Sequence, residues 1–296
     1  MSFSANSSKL TYHQLEANIV TWTKTAPYIQ AVIMVGSRAR SDFDQWSDLD
    51  LILFTTAPQV YIEHTDWFHT FGQVCFSVLN HTSYGDPEWF ILFEGGLKTD
   101  IVLSSFTKTI YKTFDLEQIL LKSPYKDAFQ DGMRVIFDKT VPNKLLDIVL
   151  PSLSVPPPPT SKEFDDLCHR FFLVAYQVSK FLNRQDLWRA KHYCDNSLKQ
   201  YLLKLLAWHS RATKDPNIIT WDDGRHLNNW ADPRAIAALA DTFAIYTQPA
   251  IWQALSNTLT LFRWLAIETA QSLGYEYPTQ VDEQVMKWMK LDIAED

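Results

Sequence analysis

Within 296 residues no apolar run approaches the roughly 20 residues a membrane helix needs, so no membrane span is expected. The opening stretch, Met1 to Lys9, is polar and serine-rich and lacks the basic-then-apolar order of a signal peptide, which points to the cytoplasm. Cysteine is sparse. Cys75, Cys168 and Cys194 are odd in number and widely spaced, which suits reduced thiols and excludes a disulfide framework. His169 beside Cys168 and His192 near Cys194 lack the spacing of a zinc or thiol-nucleophile motif, so packing or surface roles are expected for them. No Lys/Arg-rich run is present, and no repeat of fixed period.

Charge sharpens the exclusion. Lys and Arg total 27 against 34 Asp and Glu, a net charge of −7 with His neutral. Proteins that grip a nucleic-acid backbone carry a basic face, so no nucleic-acid partner is expected. An acidic protein attracts a cationic small molecule instead. With 46% hydrophobic residues the chain is long enough for two cores, and a monomer or small homo-oligomer is the expected state.

The chain changes character at Val155-Pro156-Pro157-Pro158-Pro159. Consecutive prolines favour an extended stretch without backbone donors, which reads as a stiff linker over 151–160. Residues 1–150 then form one domain and 161–296 another. The first is mixed. A helix is expected around Leu10 to Lys24, with Leu15, Ile19 and Trp22 at helical spacing. Strands are expected at Ala31 to Val35, Asp48 to Phe54, Gln73 to Leu79 and Met133 to Phe137, and a helix at Asp115 to Lys122. Trp89 to Phe93 and Leu97 to Leu103, joined through Gly95-Gly96, read as a hairpin.

The second domain is helical. Thr160 with Glu163 matches a capping box, followed by Phe164, Leu167, Cys168, Phe171, Ala175, Val178 and Leu182 at helical spacing. Further helices are expected over Asp186 to Ser210, Arg234 to Tyr246, Pro249 to Leu273 and Val281 to Leu291. Trp188, Trp208, Trp221 and Trp230 read as core residues. The fold class is α+β: a mixed β-sheet with flanking helices, then an all-helical bundle.

The chemistry concentrates in a few residues. Asp48 and Asp50 are two apart on an expected strand, so both side chains share one face, while Leu49, Leu51 and Leu53 face the core. Carboxylates on an otherwise apolar strand are costly unless paired or metal-bound. Such a pair, with substrate phosphates, suits Mg²⁺. Gly36-Ser37 closes the preceding strand, where a phosphate can approach the backbone and the Ser37 hydroxyl can donate to it. Arg38 and Arg40 follow and can add charge-assisted bonds. Asp100 lies in another β-like run; if that strand neighbours the first, three carboxylates meet and can hold metal for an in-line displacement. Lys191, on an expected helix, is a further candidate for a phosphate, against a default of a solvated helix face. Glu88, Asp165 and Asp166 are candidates to contact a cationic substrate.

In this order of Gly36-Ser37, about ten further residues, Asp48-Leu49-Asp50 and a later strand Asp100, the chain resembles the nucleotidyltransferase superfamily. Within it, the chain is similar to the streptomycin (aminoglycoside 6-) adenylyltransferase family. The likeness is carried by Ala31 to Ala39, Asp48 to Asp50, Phe93-Glu94-Gly95-Gly96-Leu97-Lys98-Thr99-Asp100 and Gly132 to Lys139. Phe171-Phe172 and Leu198 to Trp208 extend it into the second half. The resemblance implies a nucleotidyltransferase-fold first domain, a helical substrate-binding second domain, and an active site between them. It implies ATP and Mg²⁺, with AMP moved to a hydroxyl of a streptomycin-like aminoglycoside and pyrophosphate released. Asp48 and Asp50 become metal ligands, and Asp100 either the third ligand or the base. Two stretches depart from the family pattern. His169-Arg170-Phe171-Phe172 stands where the family carries Asn-Glu-Phe-Trp. Gly224-Arg225 stands for its Gly-Lys, with Arg225 still able to meet the triphosphate. Both departures bear on the acceptor side and leave the carboxylates intact. The same chemistry on a lincosamide-like molecule or a protein side chain, or a non-catalytic nucleotide-binding role, stay open at this point.

Overall fold

A computed structural model describes residues 10–40, 42–105, 116–139, 155–220 and 222–290. The chain divides into two compact units, Met1–Leu153 and Ser154–Asp296.

The first unit is built on a six-stranded mixed sheet. Its elements run α1 (Tyr12–Thr23), β1 (Ile29–Val35), α2 (Gly36–Arg40), β2 (Leu49–Thr55), α3 (Pro58–Glu63), β3 (Val74–His81), β4 (Pro87–Phe93), β5 (Leu97–Ser105), α4 (Leu116–Lys122), α5 (Lys126–Asp131) and β6 (Met133–Asp138). The strand order is β3-β4-β5-β2-β1-β6. Strands β2 and β5 are parallel, and every other described pair is antiparallel. The expected hairpin forms, with Gly95 and Gly96 both at positive φ in its turn. The expected helix at Asp115 to Lys122 appears as α4; Asp115 itself lies outside the described residues. The turns at Pro58–Glu63 and Lys126–Asp131 had no sequence forecast, since pieces of six residues are too short to show a helical period.

Strand alternation decides which side chains meet. Leu49, Leu51 and Leu53 bury on one face with Leu15, Ile19, Phe71, Phe93, Ile101 and Leu103. Ile52 and Phe54 bury on the other with Ile33, Val102, Leu120 and Phe129. The sheet is therefore covered on both sides. Asp50 shares the parity of Ile52 and Phe54 and lies nearer the start of β2, where the apolar row gives way to charge. A capping box on Thr11 and Gln14 starts α1. Trp22 of α1 stacks at 4.9 Å on Trp67 of the 3₁₀ turn Asp66–Thr70 that precedes β3, fastening the helix to that turn through aromatic contact.

The second unit is helical: α6 (Ser161–Asn183), α7 (Leu187–His192), α8 (Leu198–Thr213), α9 (Leu227–Trp230), α10 (Pro233–Leu239), α11 (Gln248–Leu273) and α12 (Thr279–Met289). The capping box forms as read, with the Glu163 amide donating to Thr160 Oγ1 and the Thr160 amide to Glu163 Oε2. The apolar stripe of α6 is buried, and Phe171 stacks on Phe262 of α11 with ring centroids 3.5 Å apart. The long helix expected from Asp186 to Ser210 is interrupted by a π turn at Tyr193–Ser197. Lys199 reaches back over this turn, donating to the Cys194 carbonyl at 2.9 Å and to Thr258 Oγ1 at 3.0 Å. Such a wide turn frees a carbonyl, and the ammonium satisfies it.

Two expectations need correction. The helix expected to run to Tyr246 ends earlier: a 3₁₀ turn closes at Thr242 and Phe243 is extended, because the chain must straighten before Thr247 caps α11. Trp188 is 75% exposed, unlike Trp208 and Trp230, which are buried as expected; Trp221 lies outside the described residues. The proline run is docked along its described part. Pro156, Pro158 and Pro159 line a cavity of about 200 Å³ with Trp208, Arg211 and Leu273, and the Tyr275 hydroxyl donates to the Pro159 carbonyl at 2.6 Å. The last helix stops at Met289, and Leu291 is not among the described residues. Among the described residues no helix is long and apolar enough to cross a membrane.

Candidate active site

The register of the parallel pair places Asp50 beside Asp100 and Leu49 beside Thr99. Asp48, one residue before β2, therefore comes alongside Lys98, and four charged side chains share one face of two adjacent strands. Lys98 binds across them, its Nζ donating to Asp48 Oδ2 at 2.9 Å and to Asp100 Oδ2 at 2.7 Å. Phe90 of β4, the register partner of Asp100, lies beneath the ammonium at 5.3 Å. The Lys98 backbone amide donates to the Tyr12 hydroxyl at 3.1 Å, which ties α1 to the same strand.

The electrostatics follow from this packing. Partial burial alone would lower the Lys98 pKa, but the bonds to Asp100 and Asp48 outweigh it and hold the ammonium above its ordinary value. Burial pushes the Asp100 carboxyl up, and the Asp48 charge adds to this against the opposing pull of Lys98. The second Asp100 oxygen, Oδ1, is buried without a hydrogen-bond partner. Buried carboxylate oxygens are ordinarily satisfied, so one that is not marks a place for a proton donor or a cation.

Gly36 opens the neighbouring short helix α2 at φ +73°. A side chain at this position would drive into the Asp50 carboxylate. Glycine is thus required twice, for the left-handed backbone and for the close approach of Asp50. Ser37 follows on α2. Arg38 donates from Nε and Nη2 to the Ser47 carbonyl at 3.0 and 2.8 Å and stacks 3.6 Å from the Tyr12 ring centroid. It also lines a cavity of about 600 Å³ with Glu16, Phe43, Leu49 and Arg134. Arg40 pairs with Asp42 at 3.1 Å and with Asp131.

Lys191 and Arg225 belong to the helical unit. The Lys191 ammonium is held by Asp195 and by the Ala244 carbonyl, while the Arg225 carbonyl accepts from the Trp230 indole at 3.0 Å. Asp165 lies 3.6 Å from exposed His169 on α6. Glu88 of β4 is two residues from Phe90, and burial raises its carboxyl pKa, with Asp100 contributing.

Hard carboxylate donors and the orphaned Asp100 oxygen are the chemistry a divalent ion selects. As arranged, however, no three His, Cys, Asp or Glu side chains among the described residues stand close enough to form a ready ligand set. An ammonium stands among them instead. Lys98 carries no role assigned from the sequence alone. Its position two residues before Asp100 on a strand was the available signal, since that spacing returns a side chain to the same face.

The sequence model of the streptomycin adenylyltransferase family matches residues 11–291 of this chain. Aminoglycoside 6-adenylyltransferase of Bacillus subtilis (strain 168) is 26% identical over 272 residues, covering 88% of this chain and 90% of that protein. Aminoglycoside 6-adenylyltransferase of Campylobacter jejuni is 22% identical over 278 residues, covering 92% of each. The crystal structure of an aminoglycoside 6-adenyltransferase from Bacillus subtilis superposes with a TM-score of 0.44 at 20% identity, over 95% of this chain and 98% of that one.

Proposed function

We propose, from the premise that the chain belongs to the streptomycin adenylyltransferase family and is a nucleotidyltransferase, that it moves AMP from Mg-ATP to a hydroxyl of a streptomycin-like aminoglycoside. The observation that carries this reading is the meeting of Asp48, Asp50, Lys98 and Asp100 on two adjacent strands beside Gly36. In the reaction the acceptor oxygen bonds to the α-phosphorus, the bond to the bridging oxygen breaks, and pyrophosphate leaves with that electron pair.

This transfer asks a protein mainly for positioning and charge stabilisation. Asp48 and Asp50 would hold Mg²⁺, which supplies neutralisation of the triphosphate charge. The Gly36 backbone and the Ser37 hydroxyl cradle phosphate oxygens. Arg38 and Arg40 can join them by exchanging their present partners, and Lys191 and Arg225 are the candidates from the helical unit. The proton of the acceptor hydroxyl goes to a carboxylate, and Asp100 suits this, with one buried oxygen unpartnered and its pKa raised by burial. The negative net charge favours approach of a polycationic acceptor.

The test is pyrophosphate release from ATP with Mg²⁺ across a panel of aminoglycosides that includes streptomycin, with Asp50→Asn as control. Release that needs one aminoglycoside and falls on the order of 10³-fold in the variant supports the proposal. Tight Mg-ATP binding with no release on any aminoglycoside shifts the acceptor to another hydroxylated molecule. No Mg-ATP binding at all overturns the nucleotide site.

A further inference from the structure

We propose that the cavity between the proline run and α8 is a binding site for a small aromatic carboxylate, with Arg211 holding the carboxylate and Trp208 and the prolines flanking the ring. The site lies wholly in the helical unit and is independent of the strand carboxylates.

Arg211 is an arginine without a counter-charge. Partly buried on α8, it makes one hydrogen bond, from Nη1 to Thr220 Oγ1 at 3.3 Å, and no ion pair among the described residues. Asp215, four residues on, is turned to Asn217 instead and accepts from its amide at 2.9 Å. Burial therefore lowers the Arg211 pKa with no carboxylate to oppose it. Arg263, also partly buried, shows the ordinary arrangement, forking onto Asp282 at 2.6 and 2.8 Å. A charge taken out of water is costly unless paired, so an unpaired guanidinium lining a cavity points to an anion from outside the chain. Its planar fork matches a carboxylate.

The rest of the lining selects what that carboxylate is attached to. The cavity is about 200 Å³ and is walled by Trp208, Ala212, Pro156, Pro158 and Pro159. Prolines carry no N–H, so their wall offers ring carbons and no donor. It is held in place by the Tyr275 hydroxyl, which donates to the Pro159 carbonyl at 2.6 Å. An apolar space of about 150 Å³ accepts a benzene ring, so this one takes a single ring with its carboxylate. Lys204, one turn before Trp208 and 4.9 Å from its ring centroid, adds positive charge on the same face of α8.

Benzoate is the probe, titrated into the full chain and read by isothermal titration calorimetry, with benzamide as the uncharged isostere. The wild type is expected to bind benzoate saturably, and benzamide about tenfold more weakly or worse. Arg211→Gln should weaken benzoate by about tenfold or more while moving the thermal midpoint by only about 2 °C, since no native ion pair is lost. Saturating benzoate should raise the midpoint of the wild type and not of that variant. Ala212→Leu fills the cavity and should abolish benzoate binding, which separates this site from any other basic surface. Non-saturable uptake by the wild type, equal binding of benzoate and benzamide, wild-type affinity in Arg211→Gln, or unchanged binding in folded Ala212→Leu each overturns the inference. So does a large drop in the Arg211→Gln midpoint, which would assign the guanidinium to the fold.

Discussion

Asp100 in the sheet unit and Asp282 in the helical unit are both aspartates held by a long cationic side chain, yet their surroundings are opposite. Asp282 is 4% exposed, and both of its oxygens are satisfied. Arg263 of α11 donates to them at 2.6 and 2.8 Å in a fork, and the Tyr277 hydroxyl adds a bond at 2.7 Å. This is a closed ion pair that locks α12 to α11. Asp100 has one oxygen bound to a lysine that is shared with Asp48, and the other buried and empty-handed. Fully satisfied charge serves the fold, whereas charge left partly satisfied costs stability and is retained for chemistry.

Exchanging each aspartate for asparagine tests that contrast, and the largest effect is expected at Asp100. Asp100→Asn should lower pyrophosphate release on the order of 10³-fold, with the thermal midpoint moving by only about 2 °C. Asp282→Asn should do the reverse. Thermal unfolding should report a loss of about 3 kcal/mol, while release per folded molecule stays near that of the wild type. If Asp282→Asn abolished turnover in folded protein, the contrast would be wrong.

Gly36→Ala lies between the two. The positive φ costs an alanine about 1–2 kcal/mol, and the new methyl displaces the Asp50 carboxylate. Both the melting temperature and the rate should fall, the rate about tenfold for a modest misplacement. The smallest effect concerns the thiols. Burial pushes Cys168 up to about 12 and Cys194 up to about 11, whereas Cys75 is exposed on edge strand β3. A thiol reagent at pH 8 should therefore modify one cysteine rapidly in native protein and all three only after unfolding.

The parts of the fold legible in the sequence were those with a long or clean period. The Thr160–Glu163 box and the stripe from Phe164 to Leu182 announce α6, and the hairpin at Gly95-Gly96 is marked by its turn. The register that sets Asp50 against Asp100 is not written in either strand, because it depends on which strand packs alongside which. The π turn at Tyr193–Ser197 escaped notice for a related reason. Its stabilising partners include Thr258, 59 residues from Lys199 in the chain, and no local period registers them. Lys98 was within reach of sequence reasoning, since a residue two before a strand aspartate must share its face.

The parallel alignment of β2 and β5 also has a temporal meaning. Lys98 and Asp48 are 50 residues apart, and the chain between them must leave the sheet, form the β3–β4 hairpin and return before the two meet. A chain still being synthesised has its Gly36-Ser37 turn and Asp48-Leu49-Asp50 long before it has anything to set beside them. Until β5 has emerged from the ribosome and docked, Asp48 and Asp50 have neither Lys98 nor Asp100 beside them. Any ligand that captures the finished cluster acts on a contact that forms only once β5 has docked, and so slows unfolding more than it speeds folding.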